Sequence, residues 1–210
     1  MAKSKFFDPE SRFQAALALF AELVIINILA LLCSLPLVTI GAAAKATATM
    51  TAQLVREEGS KTIGPFFQAF RRHAAPSLAW GLIVLAAMLL ALYELAVLNN
   101  AGIEGTVGML LRAGLLSGLL VIAAICVWFF PLQENGRLGF AQGVSRATQM
   151  AVLYLPRTLG SLLLPIVALM VWMFMPEQRG MLLGFHLICL PALCAYIANL
   201  LVQPVLRLNA

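Results

Sequence analysis

Pro36 interrupts an apolar run, and the chain on either side of it has to be arranged around that break. From Asn27 to Arg56 the sequence reads NILALLCSLPLVTIGAAAKATATMTAQLVR. Proline removes a backbone donor, and its ring pushes the preceding Leu35 out of the helical region. Gly41 then opens a stretch of small residues: Ala42, Ala43, Ala44, Ala46 and Ala48. Two arrangements fit. In one, a first helix ends near Leu35, the chain turns through PLVTIG, and a second helix returns from Gly41 to about Arg56. In the other, a single Pro-kinked helix runs on into a polar loop. At about 1.5 Å per residue the return helix is only about 23 Å long, short of the roughly 30 Å hydrocarbon layer. Thr47, Thr49, Thr51 and Gln53 also make it less apolar than a lipid-facing span. The breaker pattern favours the hairpin.

The rest of the chain decides the solvent. Hydrophobic residues make up 62% of the 210 positions and charged residues 11%. A soluble domain carries roughly 25% charge and about 45–50% apolar residues, so this chain could not cover itself with polar surface in water. The expected class is all-α: a polytopic membrane helical bundle forming one integral membrane domain over residues 1–210. Six membrane helices are expected, at residues 13–35, 41–55, 77–98, 109–132, 158–175 and 181–202. Gly114 and Gly118, spaced for close helix approach, lie in the fourth. Two connections are basic and amphipathic. In residues 56–76, Phe66, Phe67 and Phe70 fall at helical spacing beside Arg71 and Arg72. In residues 134–158, Phe140, Val144, Ala147, Met150 and Tyr154 share a face, with Arg146 elsewhere on the helix.

Charge tests the hairpin. With six spans, 11 of the 14 Lys and Arg residues fall on one side, leaving Lys45, Arg112 and Arg179 on the other. With five spans the basic N-terminal tail and the first basic connection land on opposite sides. The positive-inside bias therefore prefers six, with both termini cytoplasmic. A net charge of +5 spread through such loops does not suggest nucleic acid. The N-terminal apolar run is about twice the usual 7–15-residue signal-peptide core, so cleavage is not expected.

Polar groups inside apolar runs are the candidates for function, because lipid gives them no partner. These are Glu22, Asn27, Lys45, Arg56 and Glu94. Across a hairpin Glu22 is level with Arg56, which makes a structural ion pair the expected arrangement. Lys45 and Glu94 are expected near the outer ends of their helices, on one membrane side. Cys33, Cys126, Cys189 and Cys194 have no spacing for a disulfide framework or a zinc site. His186 and Cys189 share a helical face but lack the further ligands that a metal or haem would need. No phosphate loop, dinucleotide fingerprint, zinc-protease helix or nucleophile elbow is present. No catalytic, cofactor-binding or metal residues are expected.

Several stretches resemble a known family. Asn27 to Ala42, read as NILALLCSLPLVTIGA, is similar to the N-terminal signature of YesL-like bacterial membrane proteins. So are Leu54-Val55-Arg56-Glu57-Glu58-Gly59, Phe66-Phe67-x-x-Phe70-Arg71 and Leu155-Pro156-Arg157-Thr158-Leu159. The resemblance implies a domain of unknown function, often encoded near carbohydrate ABC transporters, with no catalytic residues to carry over. The chain departs from many relatives in the Ala-rich 42–48 segment with Lys45. A weaker resemblance is to the coupling loop of ABC permeases, through the spacing from Gly143 to Leu155-Pro156. The acidic and alanine residues at that motif's start are replaced by Arg137, Leu138 and Gly139.

The expectation is a non-enzymatic accessory or interaction protein of the bacterial plasma membrane, linked to carbohydrate uptake. Its partners would be the lipid bilayer and ABC transporter subunits. Phe66, Phe67, Phe70, Arg71 and Arg72 would form the first contact, with Arg146 and Tyr154 the second. The alternative is a small transporter or permease-like subunit that moves a solute itself.

Overall fold

A computed structural model describes residues 9–58, 62–103, 105–134 and 138–208. Lys3, Lys5, Lys61 and Arg137, counted above among the basic residues, lie outside them. The described residues form helices joined by short connections. In chain order these are α1 (Pro9–Ser34), α2 (Ile40–Val55), α3 (Ile63–Arg71), α4 (Ala75–Asn100), α5 (Gly105–Leu132), α6 (Phe140–Leu153), α7 (Leu155–Phe174), α8 (Arg179–Ile188) and α9 (Leu190–Leu208). Five of them, α1, α4, α5, α7 and α9, are long and apolar enough to cross a membrane. Their outer faces are apolar: Leu89 on α4 and Leu110 on α5 are 57% and 66% exposed. Such continuous apolar surface fits a multi-pass membrane protein.

The break at Pro36 ends α1 at Ser34, and a 3-10 turn over Leu37–Thr39 leads into α2. The Thr39 hydroxyl donates to the carbonyls of Cys33 (2.5 Å) and Pro36 (2.6 Å), closing the bend. α2 then folds back along α1, where Leu23 and Ile26 pack with Ala46, Met50, Phe66 and Ala192.

The sixth expected span takes a different form. α2 has 16 residues, and every residue from Gly41 to Ala52 except Ala44 is buried. It is the interior helix of the bundle, touching α1, α3, α4, α5 and α9. Its polarity is consistent with that place. Thr47, Thr49 and Thr51 each donate to the carbonyl four residues back, at 3.0, 3.0 and 2.8 Å, so no hydroxyl faces lipid unpaired. The run of small residues lets neighbouring helices approach closely.

α2 and α4 cross in close backbone contact. A Cβ on Gly41 would overlap the Ser77 carbonyl and lie 2.9 Å from Gly81 Cα. A Cβ on Gly81 would lie 2.5 Å from Gly41 Cα. Only glycine at both positions permits this crossing. By contrast, nothing lies within 4 Å of a Cβ at Gly114 or Gly118, so that pair does not make a close approach within the chain.

A second packing centre joins α4, α5, α6 and α9 through Trp80, Trp128, Phe129, Ala147, Ala151, Val202 and Val205. Trp128 Nε1 donates to Thr158 Oγ1 at 2.9 Å, and Thr158 donates to the Ala151 carbonyl at 3.1 Å, which ties α5, α6 and α7 together. Gly143 lets α6 press on α5: a Cβ there would sit 2.5 Å from Gln133 Nε2 and 3.1 Å from Phe129.

The last expected span, 181–202, is broken. α8 stops at Ile188, Cys189 leaves the helical region (φ −153°, ψ −14°), and α9 starts at Leu190. Pro191 supplies the reason, because it has no amide to give the carbonyl four residues back.

Candidate functional site

Asn27 is fully buried. Its Nδ2 donates to the carbonyls of Leu187 (2.8 Å) and His186 (3.2 Å), and its Oδ1 accepts from the Ala192 amide at 3.2 Å. In an unbroken helix Leu187 O would receive the amide of residue 191 and Ala192 N would donate to Ile188 O. Asn27 replaces both bonds, so one carboxamide on α1 heals the backbone gap between α8 and α9.

A ladder of polar side chains runs along the α2–α9 seam. Asn199 Nδ2 donates to the Ala48 carbonyl (3.0 Å) and to Thr51 Oγ1 (2.9 Å). Gln203 Nε2 donates to Asn199 Oδ1 at 3.3 Å, and Arg56 Nη1 donates to Gln203 Oε1 at 3.2 Å. Arg56 ends the ladder. It makes a two-point pair with Glu134, Nη1 to Oε2 at 3.0 Å and Nη2 to Oε1, while its Nε faces Glu58 at 3.0 Å. The bidentate fork fits a guanidinium against a carboxylate. Hydrogen bonding to Glu134 holds the Arg56 pKa above its ordinary value, against the opposing effect of burial. Arg56 is thus a permanent cation that pins the α2–α3 connection to the α5–α6 connection and to α9.

This corrects the expected Glu22–Arg56 pair. Glu22 is half-buried on α1, but the carboxylates at Arg56 are Glu134 and Glu58. Glu134 stands just past α5, where the α5–α6 connection meets the end of α2. Its distance along the sequence hid it.

Lys45 is 1% exposed. Its Nζ donates to the carbonyls of Arg72 and His73 (3.3 Å to His73), the acceptors left at the end of α3. A cation at a helix C-terminus meets the negative end of the helix dipole, which compensates for its burial. Lys45 is therefore beside the start of α4, not its far end. Glu94 lies 19 residues beyond Ala75 on that helix, about 28 Å at 1.5 Å per residue. The two do not share a level, because Lys45 is held by the carbonyls just before the start of α4 and Glu94 lies near that helix's other end.

The candidate contact residues also divide. Phe66 is fully buried in the packing of α1, α2 and α9, and Phe70 is half-buried against the same cluster. Tyr154 packs on Trp128 (ring centroids 5.6 Å apart) and under Arg157. Phe66 is a core residue and Tyr154 a half-buried one packed against the core, and helical spacing alone could not separate them from surface ones. Phe67 is 41% exposed, and Arg71, Arg72 and Arg146 are exposed. His186 is exposed while Cys189 is buried, and among the described residues no group of three or more His, Cys, Asp or Glu is placed to hold a metal. Sequence reasoning missed Glu134, Asn199, Gln203 and Gly81. Asn199 and Gln203, polar residues four apart in an apolar run, were the available signal.

A cavity of about 460 Å³ separates α1, α2, α5, α7 and α9, with Asn27 and Asn199 on its wall. No curated protein and no solved structure matches the chain. Residues 23–95, from the middle of α1 through most of α4, match the family model described as a protein of unknown function, DUF624, so the stretch that holds Asn27, the bend, Lys45 and Arg56 is similar to an uncharacterised family.

Proposed function

We propose that the chain is a non-enzymatic accessory protein of the bacterial plasma membrane that docks a partner at the end where α3 and α6 connect the membrane helices. The observation that supports this most directly is the Arg56–Glu134 pair, which braces the two connections against each other. Exposed Phe67, Arg71, Arg72 and Arg146 project from elements held by that brace. An exposed aromatic side chain with an arginine one helical turn on, as Phe67 and Arg71 stand on α3, suits a partially acidic protein surface or the headgroup layer. The resemblance to YesL-like proteins names the partner class: subunits of a carbohydrate ABC transporter.

In this reading α1 and α2 form a hairpin that returns to the side it left, α2 is a sixth, interior membrane helix, and both termini face the cytoplasm. The basic residues of α3 and α6 are then cytoplasmic, in keeping with the positive-inside bias. A solute carrier is the weaker reading, since the polar side chains on the central cavity are already hydrogen bonded.

Affinity capture of the tagged protein from membranes tests the proposal. Enrichment of permease or ATPase subunits, reduced by the triple change Phe67→Ala, Arg71→Ala, Arg146→Ala, is the expected result. Capture without either subunit overturns it.

A further inference from the structure

The central cavity has a wall with little to offer a polar ligand. Ser34 donates to the Ala30 carbonyl (2.7 Å), Thr47 to that of Ala43 (3.0 Å) and Ser161 to that of Arg157 (2.8 Å). Asn27 is committed to the α8–α9 break and Asn199 to α2. Cys126 Sγ accepts from the Trp80 indole at 3.3 Å. Apart from these groups the wall is alanine, leucine, isoleucine, valine, phenylalanine, proline and a second cysteine. A sugar or an ion entering would lose its water without replacement hydrogen bonds, at a cost of several kcal/mol. An apolar cavity of this kind stays dry and accepts hydrocarbon.

The space also continues. A second cavity of about 490 Å³, between α7, α8 and α9, shares Pro165, Pro191 and Cys194 with the first. The two adjoin as a crevice along the gap between α7 and the broken α8–α9 helix, with His186 at the wall of the second. Pro131, Pro165 and Pro191 all lie on the wall of the central cavity: Pro131 and Pro165 inside the continuous helices α5 and α7, and Pro191 at the α8–α9 break. The two volumes each fall in the range of about 300–1,000 Å³ typical of ligand sites.

Four of the five helices around the central cavity are candidate membrane spans, so the hydrocarbon at hand is a lipid tail. We propose that this crevice holds one acyl chain of a membrane phospholipid, as a fixed part of the packing between α1, α7 and α9. The chain would fill space that no side chain reaches, and it would stabilise the α8–α9 break that Asn27 bridges. The inference does not depend on the docking partner proposed above.

The test uses the full chain in phosphatidylcholine–phosphatidylglycerol vesicles that contain a trace of phospholipid with a diazirine at the end of one acyl chain. After illumination, peptide mass spectrometry maps the adducts. Wild type should carry adducts on the peptides with Pro165 and Cys194. Ala195→Phe, which fills the cavity from α9, should lose them while keeping adducts on the exposed α4–α5 face at Leu89 and Leu116. Ala44→Leu fills the same space from α2 and serves if the first variant does not fold. Absence of crevice adducts in wild type overturns the proposal, and so do crevice adducts that persist in a folded, filled variant.

Discussion

Asn27 Nδ2 lies 2.8 Å from the carbonyl oxygen of Leu187, the acceptor that Pro191 leaves without an amide partner. The two residues are 160 positions apart in sequence. One buried carboxamide therefore decides whether the α8–α9 helix can stay broken inside an apolar bundle.

Asn27→Leu keeps the volume but leaves the Leu187 carbonyl and the Ala192 amide unpaired. The expected loss is about 1–3 kcal/mol of stability in detergent, read from thermal or SDS unfolding. Pro191→Ala restores an amide to α9, so Asn27→Leu should cost less in that background. Equal costs in both backgrounds would show that Asn27 does not replace the missing bond.

Gly41→Ala and Gly81→Ala should each destabilise by about 1–3 kcal/mol, because the added methyl meets backbone and not a movable side chain. Gly114→Ala and Gly118→Ala meet open space and should be near neutral. The comparison is read as four melting temperatures of purified protein. The opposite ranking would remove the α2–α4 crossing from the fold.

Arg56→Ala leaves Glu134 half-enclosed without its cation and should cost about 1–3 kcal/mol. Glu134→Ala should cost a similar amount, and the double variant clearly less than the sum of the two. Because Arg56 also holds Gln203 and faces Glu58, its loss should be the larger of the two single losses.

Lys45 and Glu94 give a topology experiment. In single-cysteine chains built on a background without the native cysteines, His73→Cys and Glu94→Cys should react with an impermeant maleimide from opposite sides of the membrane. Lys45→Cys, at a buried position, should react from neither. Labelling of positions 73 and 94 from one side would contradict a full crossing by α4.

Phe66→Ala empties a buried site and should cost about 3–5 kcal/mol. Phe67→Ala, one residue on and 41% exposed, should leave the melting temperature nearly unchanged while weakening capture of the partner. A stable Phe66→Ala protein would mean that α3 does not pack as described.

The sequence by itself determined the class of object. An excess of apolar residues with so few charges gives long apolar helices that fit a membrane, and Pro36 followed by Gly41 forces a bend, since both effects are local to the backbone or additive over composition. It also marked Asn27, Lys45 and Arg56 as residues that must be answered by something. What answers them was decided only by the tertiary structure: α8 and α9 for Asn27, the carbonyls ending α3 for Lys45, Glu134 for Arg56. Tertiary packing likewise made α2 an interior helix, put Phe66 in the core and Tyr154 against it, and brought Gly41 against Gly81. Partner choice depends on which distant helix occupies the neighbouring position, and helix periodicity repeats the same face whether it meets lipid, water or another helix.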